Sequence, residues 1–281
     1  MLRLPRQVHL IVPLTAALSL AGCAGIDTGG PVSQQEQQST VVDQRNNIAS
    51  ISDVIRKNPS DANAMNMRGS AYGQAGEYQR ALEDFNAALR LSPNYHQVYA
   101  NRALIYVKMK RADQALADYS KAISLAPDYA AAYVGRGNLY RQMKNLPLAL
   151  TDYNRAVELQ NDDPVAYFNR GLVRQAMGDH RNAIEDFSNA LSMRPDTTDP
   201  FYARGISYLK LDEFKRAYED FTVATSSKAS TAEAWTYRAR AAEGLGQTKD
   251  ASRGYRRALQ IDPSFKPASE GLARVGSDDS A

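Results

Sequence analysis

Residues 96–129 read HQVYANRALIYVKMKRADQALADYSKAISLAPDY, and residues 130–163 read AAAYVGRGNLYRQMKNLPLALTDYNRAVELQNDD. Laid one over the other, these two strings of 34 residues agree at the small residues Ala103 and Gly137, at Ala115 and Ala149, at Tyr119 and Tyr153, and at Ala122 and Ala156. Agreement at a fixed period outranks any local propensity, because it means that one supersecondary unit has been stacked several times. The same register runs outward in both directions. Gly69, Gly171, Gly205 and Ala239 extend the first ladder, and Ala81, Ala183, Ala217 and Ala251 the second. Phe85, Phe187, Phe221 and Tyr255 extend the third, and Ala88, Ala190, Ala224 and Ala258 the fourth. No insertion interrupts the 34-residue period, and six units begin near residues 62, 96, 130, 164, 198 and 232.

The unit reads as two helices. A Gly or Ala in the first lets the second approach closely, the paired Ala residues of the second do the same for the next unit, and the aromatics fill the remaining space. Gly76, Gly178 and Gly246 fall between the two helices, where a left-handed helix terminus suits glycine. Pro93, Pro127, Pro195 and Pro263 follow the second helix, and Pro147 fits a first helical turn, where no N–H is missed. The proline is displaced to Pro164 after the third unit and missing after the fifth, which predicts looser junctions there.

These ladders, with Met65, Tyr99, Tyr133, Tyr167, Phe201 and Trp235 opening the first helix and Tyr72, Tyr106, Tyr140 and Tyr208 in its middle, resemble the tetratricopeptide repeat. The fourth and sixth units depart at the mid-helix aromatic, with Arg174 and Ala242. The resemblance implies an all-α, right-handed superhelical solenoid of six helix-turn-helix repeats over residues 62–265. Such stacks need ends. Ile48, Ile51, Val54 and Ile55, at helical spacing ahead of Pro59, predict an N-terminal capping helix over 46–61, and Leu272 with Val275 predicts a C-terminal one within 266–281.

The N-terminus reads as an address. Arg3 and Arg6 precede an apolar run from Val8 to Leu20, which is shorter than the roughly 20 residues a spanning helix needs. Leu20-Ala21-Gly22-Cys23 resembles the lipobox of bacterial lipoproteins, and Cys23 is the one cysteine of the chain. The resemblance implies a signal peptide over 1–22, lipidation at Cys23 and a membrane anchor. Ala24, rather than Asp, after the cysteine implies the outer membrane facing the periplasm, with the periplasmic leaflet of the inner membrane as the alternative. Residues 23–45, with Gly29, Gly30, Pro31 and a Gln-rich stretch, read as a flexible tether.

Charge and chemistry narrow the function. The formal net charge is +3, part of it in Arg3 and Arg6, and no long Lys/Arg run appears, so nothing points to nucleic acid. His96 and His180 lie outside the leader, at a repeat junction and an inter-helix turn; they read as solvated loop histidines, with no companion at metal-ligand spacing. No catalytic group, metal or cofactor is expected, and the chain reads as a non-enzyme. Arg68, Arg102, Arg136, Arg170, Arg204 and Arg238 recur at 34, as do Asp84, Asp118, Asp152, Asp186 and Asp220, with Gly254 breaking the second series. Matching periods favour structural pairs over an arginine stripe for acidic partners.

In the tetratricopeptide family the concave face of the first helices holds a partner segment. Carried over position by position, that face comprises Leu104, Val107, Val134, Asn138, Arg141, Phe168, Leu172, Tyr202, Ile206 and Leu209, with Asn66, Ser70, Ala100, Gln175, Thr236, Arg240 and Glu243 around them. The expected function is a membrane-anchored scaffold for other envelope proteins. An assembly factor for a secretin or pilus, pilotin-like, is the alternative.

Overall fold

The computed structural model describes residues 34–226 and 230–276, with side chains from residue 46 onward. The expected leader, Cys23 and the first part of the expected tether lie outside the described residues. Fourteen α-helices and no strand occur among those described. After α1 (Gln34–Lys57) come six pairs. They are α2 (Ala62–Gln74) with α3 (Tyr78–Leu91), α4 (His96–Lys108) with α5 (Ala112–Leu125), and α6 (Ala130–Gln142) with α7 (Leu146–Leu159). Then follow α8 (Pro164–Ala176) with α9 (His180–Met193), α10 (Asp199–Lys210) with α11 (Phe214–Ala224), and α12 (Ala232–Gly244) with α13 (Thr248–Ile261). The last helix is α14 (Lys266–Gly276).

The ladders are the core. Ala81, Ala115, Ala149, Ala183, Ala217 and Ala251 are all 0% exposed, and Phe85, Tyr153, Phe187, Phe221 and Tyr255 are as well. Each buried aromatic lies over the small residue of its own first helix. A Cβ on Gly69 would stand 2.8 Å from Phe85 Cε1, and one on Gly171 would stand 2.6 Å from Phe187 Cε1. Glycine is therefore used there for space. Burying each Phe ring is worth about 2–3 kcal/mol, so the repeat concentrates its stabilisation in one residue per unit and removes atoms opposite it.

The arginine and aspartate ladders are structural pairs. Arg136 donates from Nε to Asp152 Oδ2 at 2.9 Å and from Nη2 to Oδ1 at 2.8 Å. Arg68–Asp84, Arg102–Asp118, Arg170–Asp186 and Arg204–Asp220 repeat the pairing. The remaining nitrogen reaches back to the preceding second helix: Arg102 Nη1 to Asn86 Oδ1 at 2.6 Å, Arg136 to Ser120, Arg204 to Ser188. Arg68 reaches Ser52 on α1 in the same way at 3.2 Å. By this test α1 is a second helix that has lost its first, and its Ile48, Ile51 and Ile55 pack on Ala64 and Ala71 of α2.

Three expectations change. The N-terminal helix begins at Gln34, well before the expected start of the cap, so residues 34–45 of the predicted tether are helical. Residues 34–45 hold no Gly or Pro and are rich in Gln. Once Ile48 and Ile51 are fixed by packing, helix propagates through such a stretch at little cost. The junction after the third pair is not loose: Pro164 starts α8 and the Asp163 carboxylate accepts from Val165 N–H at 2.8 Å. The junction after the fifth pair does differ, since α11 has 11 residues where the other second helices of pairs have 14. The histidines are not solvated loop residues either. Each is the first residue of a helix and half-buried; His96 stands edge-on to Tyr129 at 4.9 Å, and His180 Nδ1 is 3.5 Å from Ser207 Oγ.

Candidate protein-binding groove

First helices of successive pairs touch one another, while no two second helices do among the described residues. The first helices therefore form the inner layer of the curve and the second helices the outer one. The faces of α4, α6, α8 and α10 that look inward carry the ten residues proposed from the sequence, and all ten are half-buried, neither core nor free surface.

Their surroundings divide them. Phe168 and Leu172 lean on the cluster of Ala183, Phe187 and Ala203, with Phe168 and Phe187 centroids 5.8 Å apart. Tyr202, Ile206 and Leu209 lean on Tyr208, Ala217, Phe221 and Ala241. Val107 packs on the cluster of Ala103 and Tyr119, and Val134 on those of Tyr153 and Ala156. Leu104 belongs to no such cluster. These residues hold the first helices together with one side and line the groove with the other.

The polar members separate more sharply. Asn138 is engaged: its Oδ1 accepts from the Tyr153 hydroxyl at 2.7 Å. Gln175 donates to the Ala203 carbonyl and to Ser207 Oγ, both at 2.7 Å. Glu243 is taken by Arg274 and Tyr255, which hold its carboxyl below the usual carboxylate range. Ala100 and Thr236, expected on the groove wall, are buried, because α4 and α12 are turned so that these positions meet the neighbouring second helix. Arg141 is the exception. Its side chain makes no hydrogen bond or ion pair among the described residues, and its Nε is out of water without a partner.

Two groove residues escaped the sequence reading. Asn101 donates to Asn66 Oδ1 at 2.9 Å and bridges toward Ser70, making a polar entrance on α2 and α4. Tyr237 stacks on Phe221 at 5.7 Å and meets Tyr202 at 6.0 Å. Burial, then the adjacent Glu233 carboxylate, raises the pKa of both phenols. Both positions belong to the ladder Met67, Asn101, Gly135, Asn169, Ala203, Tyr237. That ladder changes residue type at every step, so a search for agreement passes over it. No group of three or more His, Cys, Asp or Glu that could hold a metal occurs among the described residues.

Comparison with known proteins bears on the fold. A tetratricopeptide repeat family matches residues 62–95, 96–129 and 164–197, a second family of TPR repeats matches 137–178, and a third, also tetratricopeptide repeats, matches 202–264. The chain is similar to the structure described as Pseudomonas aeruginosa pilF, with a TM-score of 0.67, 19% identity, and coverage of 76% of this chain and 97% of that one. It is similar to a chain of the APC/C hetero-tetramer Cut9-Hcn1, with a TM-score of 0.64 and 21% identity, covering 83% of this chain and spanning only 46% of that one. It is also similar to YrrB, described as a TPR protein with an unusual peptide-binding site, with a TM-score of 0.52, 20% identity, and coverage of 78% and 96%. A search of curated protein sequences finds no match. Since the family matches cover most of the chain and the six helix pairs keep its 34-residue register, the chain belongs to the tetratricopeptide repeat family, a fold of protein–protein interaction scaffolds.

Proposed function

We propose that this chain is a membrane-anchored scaffold of the bacterial cell envelope, tethered through Cys23, that holds an extended segment of another envelope protein against the concave face of its middle repeats. Arg141 carries the reading. A buried guanidinium nitrogen left unpaired costs free energy, on the order of 1–3 kcal/mol, which an incoming acceptor recovers. Arg141 stands on the inner layer among half-buried Leu104, Val107 and Leu172, so a segment with an acidic side chain between apolar ones complements it. The lipobox-like Leu20-Ala21-Gly22-Cys23 supports the anchor, and Ala24 supports the outer membrane as its address.

The test is capture in native envelopes by a photo-crosslinking amino acid at position 172, compared with one at Glu83 on the outer layer. Adducts at 172 and not at 83, reduced about tenfold or more by Arg141→Ala with an unchanged melting curve, are expected. The same adducts from both positions would overturn the groove. Intact mass of the membrane-extracted chain reports acylation of Cys23 separately, and release of Cys23→Ser from the membrane is the expected companion result. Recovery of a secretin as the adduct would move the reading to an assembly factor.

A further inference from the structure

The solenoid has two long edges. At one, first helices end and second helices begin; at the other, each second helix passes to the next pair. On the first edge the residue closing each first helix is Met109, Met143, Met177, Leu211 or Leu245 in repeats two to six. Met143 is 50% exposed and Met177 48%, so these side chains stand in water in a row along one rim. The next residue takes a left-handed conformation in every repeat. Glycine fills it in repeats one, four and six, but Lys110 (φ 59°) and Lys144 (φ 59°) fill it in repeats two and three. A residue with a Cβ is disfavoured there, so a non-glycine at such a site points to a role for the side chain.

Charge separates the two edges. Lys108, Lys110, Arg111 and Lys144 cluster on the first edge, exposed and without an ion pair or side-chain hydrogen bond among the described residues. The opposite edge carries Asp128, Asp162, Asp163 and Asp196 instead, although it too exposes apolar side chains, at Leu91 and Ile261.

Chain direction selects the same edge. Helix α1 is a second-helix equivalent and runs antiparallel to α2, so its N-terminal end lies where α2 finishes, at the basic edge. A shift of 34 aligns α3 with residues 44–57 of α1, so α1 begins ten residues earlier, at Gln34. At ~1.5 Å per residue this carries the chain about 15 Å beyond the edge. Cys23 stands eleven residues upstream of Gln34 in the sequence.

We infer that this edge rests on a lipid surface bearing anionic headgroups, with Met143 and Met177 at headgroup depth and Lys108, Lys110, Arg111 and Lys144 on the phosphates. Exposed apolar side chains flanked by unpaired lysines suit that interface. The groove then opens sideways along the membrane. The argument from chain direction rests on reading Cys23 as an anchor; those from exposure, conformation and charge do not.

The test places a genetically encoded fluorescent amino acid at position 143, 177, 91 or 261 of the full chain. The chain is reconstituted with vesicles of phosphatidylethanolamine and phosphatidylglycerol, with or without headgroup-nitroxide lipid. Quenching at 143 and 177 several-fold above that at 91 and 261 is expected, reduced about tenfold by the combined change K108E/K110E/R111E/K144E. Equal quenching at all four positions overturns the inference, as does none at 143 and 177, the result if a protein covers this rim. Intact mass of the same preparation reports Cys23 independently. An acylated chain with an unquenched edge keeps the anchor and loses the edge; a quenched edge on an unacylated chain does the reverse.

Discussion

A Cβ on Gly254 would stand 2.9 Å from the Cβ of Ala239, and this close approach explains why the aspartate ladder stops one repeat early. In the sixth repeat the small residue has moved from the first helix to the second, and Arg238 lies between the Tyr218 and Trp235 rings, 5.1 Å from each, donating to the Tyr218 hydroxyl. Gly254→Asp alone is expected to lower stability by about 1–3 kcal/mol through overpacking. Ala239→Gly in the same chain should restore most of it by freeing the room Asp needs to reach Arg238; a double-mutant cycle by thermal melting measures the coupling. Lys144 makes the opposite case. Its left-handed conformation costs about 1 kcal/mol relative to a residue without a Cβ, so Lys144→Gly is expected to raise the melting temperature even as it weakens lipid contact. A fall would mean that the lysine contributes to the fold.

At the level of the helix, the two caps are held differently. Helix α1 is fixed by Ile48, Ile51 and Ile55 and by the reach of Arg68 to Ser52. Helix α14 is fixed by Val275, by the close fit of Gly271 under Tyr255, and by Arg274, which donates from Nε to Glu243 Oε1 at 3.0 Å. That hydrogen bond, then the Tyr255 hydroxyl, keeps the Glu243 carboxyl below its ordinary value near 4.5. Because the folded value is depressed, the stabilisation is present above about pH 4.5 and is lost as pH falls through the folded value. Amide exchange in α14 is therefore expected to quicken in acid before exchange in α6 does, and Arg274→Ala should remove the difference. Asp186 behaves in the other sense. Burial pushes its carboxyl up despite the two arginines, Arg170 and Arg174, that hold it. Its contribution lies on the acid side and fades as pH rises through the raised value.

Across the whole molecule, each pair of helices leans mainly on its neighbours, so stability is close to a sum over repeats and their interfaces. Gly171→Ala, which would press a methyl against Phe187 in the fourth repeat, is expected to cost about 1–3 kcal/mol. The damage should stay local: amide exchange is expected to rise in α8 and α9 while α2 to α5 remain protected. Partner capture at position 172 should fall with it, since the proposed groove runs through that repeat. Uniform loss of protection would show a more cooperative array than a solenoid predicts.

The sequence determined the fold through residues that can be only one thing. Gly69, Ala81 and Phe85 are core because a helix pair of this spacing leaves room for nothing larger at the first two and nothing smaller at the third, and a 34-residue period repeats that demand six times. The Arg136–Asp152 type of pair was legible for the same reason, since equal periods put opposite charges together. Residues that answer to a neighbouring helix were not legible. Ala100 and Thr236 turn inward, Asn138 is taken by Tyr153, and Tyr237 joins Tyr202 across two helices. The tertiary structure also decided that Gln34 to Arg45 continues a helix, that Arg141 alone among the ten proposed groove residues keeps a buried unpaired nitrogen, and that Met143 and Lys144 share an edge with the end of α1. Each of these depends on which groups from other helices come within a few ångströms, and a one-dimensional pattern of periods carries no such distances.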